Sequence, residues 1–76
     1  MNIKVLGSGC SKCNELEKRV RQVAESHHIE IDLEKVTAVE DIMSYGVMIT
    51  PGLVIDGNVK SSGKLPSKEE ILEWIS

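Results

Sequence analysis

The apolar positions of the chain change their spacing several times. Asn2 to Leu6 is a short run in which Ile3, Val5 and Leu6 suit a strand. From Cys13 the spacing becomes three and four: Cys13, Leu16, Val20, Val23 and Ala24 fall on one stripe, with Glu15, Lys18, Arg19, Gln22 and Glu25 on the other side. That is an amphipathic helix, and Glu17 with Arg21 adds an i,i+4 ion pair. At Ile29 the period drops to two, with Ile29, Ile31 and Leu33 alternating against Glu30, Asp32 and Glu34, which predicts a half-buried strand.

The second half repeats the alternation in shorter elements. Thr37 and Glu40 have the spacing of a capping box, opening a short helix to about Tyr45 that Gly46 would end. Thr50-Pro51 forces an extended entry into the apolar run Leu53, Val54 and Ile55. Asp56-Gly57 signals a hairpin, with Val59 to Ser61 returning antiparallel. A second capping box, Ser67 with Glu70, opens a helix that carries Ile71, Leu72, Trp74 and Ile75. The predicted order is βαβαββα, an α/β chain.

Size and composition narrow what such a chain can do. Its 76 residues are expected to form one domain over residues 1–76, which at this size buries only about 60% of its unfolded surface. Ile, Val and Leu dominate the apolar set and Phe is absent, a bias that suits a sheet covered by helices. A net charge of −3 and the lack of a basic face with interleaved aromatics argue against nucleic acid. The start MNIKVLGSG is too short before its first glycine for a signal peptide, and no apolar run has the length of a membrane span. The expected compartment is the cytosol, with no membrane partner. A Cys pair in that setting is expected to be catalytic or metal-binding rather than a structural staple.

Both cysteines lie in Gly7-Ser8-Gly9-Cys10-Ser11-Lys12-Cys13, between the first strand and the first helix. Cys10 is expected at the turn, where the positive end of the helix dipole favours thiolate over thiol, and Cys13 one turn further in on the apolar side. Lys12 would add to this effect, whereas Glu15, taken as part of the first turn, would oppose it. A resolving thiol held beside the attacking one makes release of a mixed disulfide intramolecular. A closed zinc site is disfavoured: only His27 and His28 could complete it, and a helix over residues 13–27 would put Cys13 and His27 about 21 Å apart. The two histidines instead suit a helix C-terminus. A two-thiolate site for a soft ion of the Cu(I) kind remains open.

The Cys10-Ser11-Lys12-Cys13 stretch, followed by Thr50-Pro51, Asp56-Gly57 and the Ser67 helix, resembles the thioredoxin superfamily over essentially the whole chain. Within it the sequence is most similar to the small thioredoxin- or glutaredoxin-like redox-active disulfide proteins of archaea and bacteria. The resemblance implies a minimal thioredoxin-like fold, a four-stranded mixed sheet with helices on both faces. It implies a cis bond before Pro51, a Thr50 main chain that pairs with bound substrate, and a loop Ser61-Ser62-Gly63 near the site. The implied activity is protein-disulfide oxidoreduction, with Cys10 attacking and Cys13 resolving, and with no bound cofactor. The implied partners are disulfide-containing client proteins and an external reductant, either a flavoprotein resembling thioredoxin reductase or another dithiol protein. Ser11-Lys12 differs from the Gly-Pro usual in thioredoxins and the Pro-Tyr usual in glutaredoxins. The alternative function is a redox-sensing or soft-metal carrier module that uses the same cysteines.

Overall fold

A computed structural model describes residues 1–7 and 11–76. The element order is β1 (Asn2–Leu6), α1 (Ser11–Ser26), β2 (Asp32–Val36), α2 (Val39–Ser44), β3 (Gly52–Ile55), β4 (Asn58–Ser62) and α3 (Lys68–Ile75). The strands form one mixed sheet in the order β2-β1-β3-β4. β1 pairs in parallel with β2 and antiparallel with β3, and β3 pairs antiparallel with β4 across a register shift at Leu53/Val54. This is the minimal thioredoxin-like architecture that the resemblance implies.

The two faces of the sheet are covered unequally. Strand alternation sends Ile3, Val5, Leu53 and Ile55 to one side, where they pack with Leu16, Val20, Val23 and Ala24 of α1 and Ile71 and Ile75 of α3. Leu6 and Val54 point the other way and meet Ile42 of α2 and Val47 in a smaller cluster. Arg19 ties α1 to the segment just ahead of α3: its Nη1 donates to the Pro66 carbonyl at 2.9 Å while its Nε donates to Glu15 of its own helix at 3.1 Å. On the smaller face the Lys4 ammonium donates to the Tyr45 hydroxyl at 2.9 Å and stands 5.6 Å from the ring centroid. That hydrogen bond, with the negative charge Tyr45 would acquire, raises the Lys4 pKa above its usual value.

The ends of the elements show where local sequence and tertiary context agree. The buried stripe of α1 is Cys13, Leu16, Val20, Val23 and Ala24, and Glu17 accepts from Arg21 at 3.1 Å. α1 closes in a Schellman arrangement: His28 takes φ 54°, its N–H reaches the Glu25 carbonyl at 3.3 Å, and the Ile29 N–H reaches the Ala24 carbonyl at 2.8 Å. This closure corrects the predicted second strand. Ile29 and Ile31 pack against the large core from outside the sheet, and β2 begins only at Asp32, opposite Asn2.

The Thr37 capping box is also corrected, because α2 starts after Ala38, with no side-chain cap. Glu40 and Asp41 still place negative charge in that first turn, where the dipole favours it. The Ser67 box forms in full: Ser67 Oγ accepts from the Glu70 N–H at 3.2 Å and Glu70 Oε1 accepts from the Ser67 N–H at 3.1 Å. The backbone bond to Ser67, strengthened by Lys64, holds the Glu70 carboxyl below its ordinary pKa. Asp56 at φ 48° and Gly57 at φ 85° make the hairpin turn, both central residues left-handed as a type I′ turn demands.

Candidate active site

The candidate site lies where β1 ends, α1 begins and the chain enters β3. Its outer cysteine, Cys10, falls outside the described residues. Cys13 is within them: it is fully buried on α1 and disulfide-bonded. Helical spacing accounts for its burial, since it shares the stripe of Leu16 and Val20.

Three elements converge on Gly7. Its N–H donates to the Val36 carbonyl at 2.9 Å, so the backbone just past β1 is still held by β2. A β-carbon on Gly7 would lie 3.2 Å from Cβ of Cys13 and 3.5 Å from Cβ of Thr50, and would overlap Sγ of Cys13. The bare Gly7 backbone is therefore the floor against which Cys13 and Thr50 both stand.

The Thr50–Pro51 bond is cis, as the resemblance implies, and Pro51 is buried. Gly63 joins this segment: its N–H donates to the Pro51 carbonyl at 2.9 Å, and a β-carbon on Gly63 would lie 3.1 Å from Cγ2 and 3.2 Å from Cβ of Ile49. Of the predicted loop Ser61-Ser62-Gly63, the two serines belong to β4 and only Gly63 lies beyond it. Ser61 is buried, and its hydroxyl finds no hydrogen-bond partner among the described residues.

The structure thus brings Cys13, Thr50, Pro51 and Gly63 into one neighbourhood. It adds two residues that periodicity did not single out. Gly7 is one, and its place directly after an apolar strand gave no sign of this role. Ile49 is the other, 66% exposed beside Met48 at 87%, an apolar rim next to Thr50. The expected opposition from Glu15 is corrected. No acidic residue occupies the first turn of α1, and the Glu15 carboxylate is turned back to Arg19. Lys12 is exposed. No group of three or more His, Cys, Asp or Glu suited to a metal ion occurs among the described residues, and none of their helices is long and apolar enough to cross a membrane.

Comparison with known proteins gives a consistent picture. The family model for a thioredoxin domain matches residues 1–76. The chain is 37% identical over 76 residues to a thioredoxin of Methanothermobacter thermautotrophicus, covering 100% of this chain and 99% of that one. A thioredoxin of Methanocaldococcus jannaschii is 39% identical over 71 residues, covering 93% of this chain and 81% of its own length. A second thioredoxin of that organism is 32% identical over 69 residues, covering 87% and 80%.

Proposed function

The chain belongs to the thioredoxin domain family, and on that footing we propose that it reduces disulfides of client proteins with Cys10 and Cys13 as its dithiol. Thiol–disulfide oxidoreductase chemistry is the general type its thioredoxin relatives support. The observation that carries the finer reading is Cys13: it is buried and disulfide-bonded beside Thr50, and the sequence holds one other cysteine, Cys10.

In the proposed cycle the Cys10 thiolate attacks one sulfur of the client disulfide and expels the other as a thiolate, leaving a Cys10–client mixed disulfide. Cys13 then attacks Cys10 Sγ, and the second client sulfur departs. The client gains two electrons and, after protonation, two thiols; Cys10 and Cys13 become the bridge. Proximity is what Cys13 supplies, because a thiol one helical turn away acts at high effective concentration. Thr50 would pair its main chain with an extended client segment, with Pro51 and Gly63 shaping that edge. The chemistry runs on the two sulfurs without a bound cofactor. The bridge is returned to the dithiol by an external reductant, a flavoprotein like thioredoxin reductase or a dithiol protein, in a reducing compartment such as the cytosol.

Insulin-disulfide reduction with dithiothreitol as the electron source tests this. Catalytic amounts of wild type should accelerate it and Cys10→Ser should abolish the acceleration. Cys13→Ser should lose turnover while accumulating a mixed disulfide visible by mass. Wild type that gives no acceleration overturns the proposal.

A further inference from the structure

Gly7 belongs to no recognised motif of the chain, yet among the described glycines it is the one where an added side chain would meet the closest contact. The β-carbon it lacks would occupy the place of Cys13 Sγ. Neither backbone can withdraw to make room. Gly7 is bonded to Val36 and follows directly on Leu6, which pairs with Val36 on one side and Gly52 on the other. Cys13 is fixed by the helix whose Leu16, Val20 and Val23 fill the large core.

The sulfur itself differs between redox states. In a disulfide its position is fixed by the bond to a second sulfur, so it cannot turn away from an added methyl group. In the dithiol the Cys13 χ1 can move to another staggered well, and the overlap can relax.

We propose that Gly7 is a positioning residue for the redox couple: by carrying no side chain it keeps open the space that Cys13 Sγ fills in the disulfide, and so favours the oxidised form. This rests on the reading of Cys10 and Cys13 as a reversible pair. The equilibrium is protein disulfide plus reduced dithiothreitol giving protein dithiol plus oxidised dithiothreitol, two electrons and two protons passing to the protein. Gly7→Ala shifts that equilibrium toward the dithiol by at least about tenfold, which is about 30 mV for a two-electron couple.

The test has two arms. In the first, wild type, Gly7→Ala and Gly46→Ala are equilibrated in dithiothreitol buffers and the dithiol fraction is read by alkylation and mass. Gly46→Ala shares a positive-φ glycine but has open space around its β-carbon, so its equilibrium should stay at the wild-type value. In the second arm, the drop in Tm caused by Gly7→Ala is compared in the oxidised protein and in a Cys13→Ala background, where the sulfur is gone. Any backbone strain at position 7 is common to both backgrounds and cancels.

The drop in Tm should be at least halved in the Cys13→Ala background. If Gly7→Ala does not fold when oxidised, the Gly7→Ala/Cys13→Ala double variant should fold, and its failure to do so overturns the inference. Equal Tm drops in the two backgrounds, or an unchanged equilibrium, also overturn it. Wild type that shows no dithiol–disulfide equilibrium would refute the proposed function instead, while the stability cycle would still report on Gly7.

Discussion

Gly63→Ala is the sharpest probe of the Thr50–Pro51 side of the candidate site. Gly63 has φ 77°, so an alanine there meets a left-handed cost of about 1–2 kcal/mol. Its β-carbon would also stand 3.1 Å from Cγ2 and 3.2 Å from Cβ of Ile49, close enough that Ile49 must give way. Crowding of this kind adds about 1 kcal/mol, at the low end for overpacking because Ile49 is 66% exposed and can move. Gly57→Ala isolates the first effect, since Gly57 has φ 85° and open space around its β-carbon.

Gly63→Ala should therefore cost about 1 kcal/mol more than Gly57→Ala, a further fall in Tm of about 4–8 °C for a domain of this size. The displaced Ile49 immediately precedes Thr50, and Gly63 also donates to the Pro51 carbonyl. The push is therefore delivered to the edge that would hold a client. A misplacement of about 1 Å can lower a rate by about 100-fold, so a shift of a few tenths should lower kcat/KM for client reduction by about 4-fold, mainly through KM. Gly57→Ala should keep the wild-type kcat/KM. Paired thermal melts and insulin-reduction kinetics on the two variants give both numbers. Equal melting temperatures and equal kcat/KM would show that Gly63 merely turns the chain, and the reasoning would fall.

Other perturbations test the scaffold. Ser61→Ala removes a buried hydroxyl without a partner among the described residues, and should be neutral or stabilise by up to about 1 kcal/mol in chemical denaturation; a loss above that would reveal a partner. Ser67→Ala breaks the cap of α3 and should cost about 1 kcal/mol, lowering Tm by about 4–8 °C. The lowered Glu70 pKa stabilises the fold fully above pH 4.5, its ordinary value, and that contribution is lost as pH falls through the lower folded value. Glu70→Gln, which keeps a capping side chain, should therefore flatten the acid limb of a stability-against-pH curve; an unchanged limb would show that the carboxylate has no part in it. Ile71→Ala, at the fully buried centre of the α3 contact, should cost about 2–5 kcal/mol by urea denaturation; a cost below about 1 kcal/mol would mean that α3 contributes little to the large core.

Much of this was legible in the sequence because local chemistry and tertiary demand coincided. The α1 stripe, the Asp56-Gly57 turn and the Ser67–Glu70 box all formed as their residue types require. The second strand was misplaced because Ile29 and Ile31 satisfy period two while serving another purpose, closing α1 and covering the flank of the core. Thr37 had the right spacing for a cap, but the helix began one residue after Ala38 and left it outside.

At the site, Cys13, Thr50, Pro51 and Gly63 were nameable through motif and resemblance, since each carries chemistry or turn geometry of its own. Gly7 was not. Its importance lies in a missing atom, which becomes visible only when the end of β1 and the first turn of α1 are folded into contact.

β1 is one of the two inner strands of the sheet, flanked by β2 and β3, and it runs straight into Gly7. Its amide protons should exchange with solvent only when the whole molecule opens, since both its neighbours must leave first. Deuterium uptake at Val5 and Leu6 would then serve as an internal gauge of how much firmer the oxidised protein is than the reduced one, read at the backbone that leads directly into Gly7.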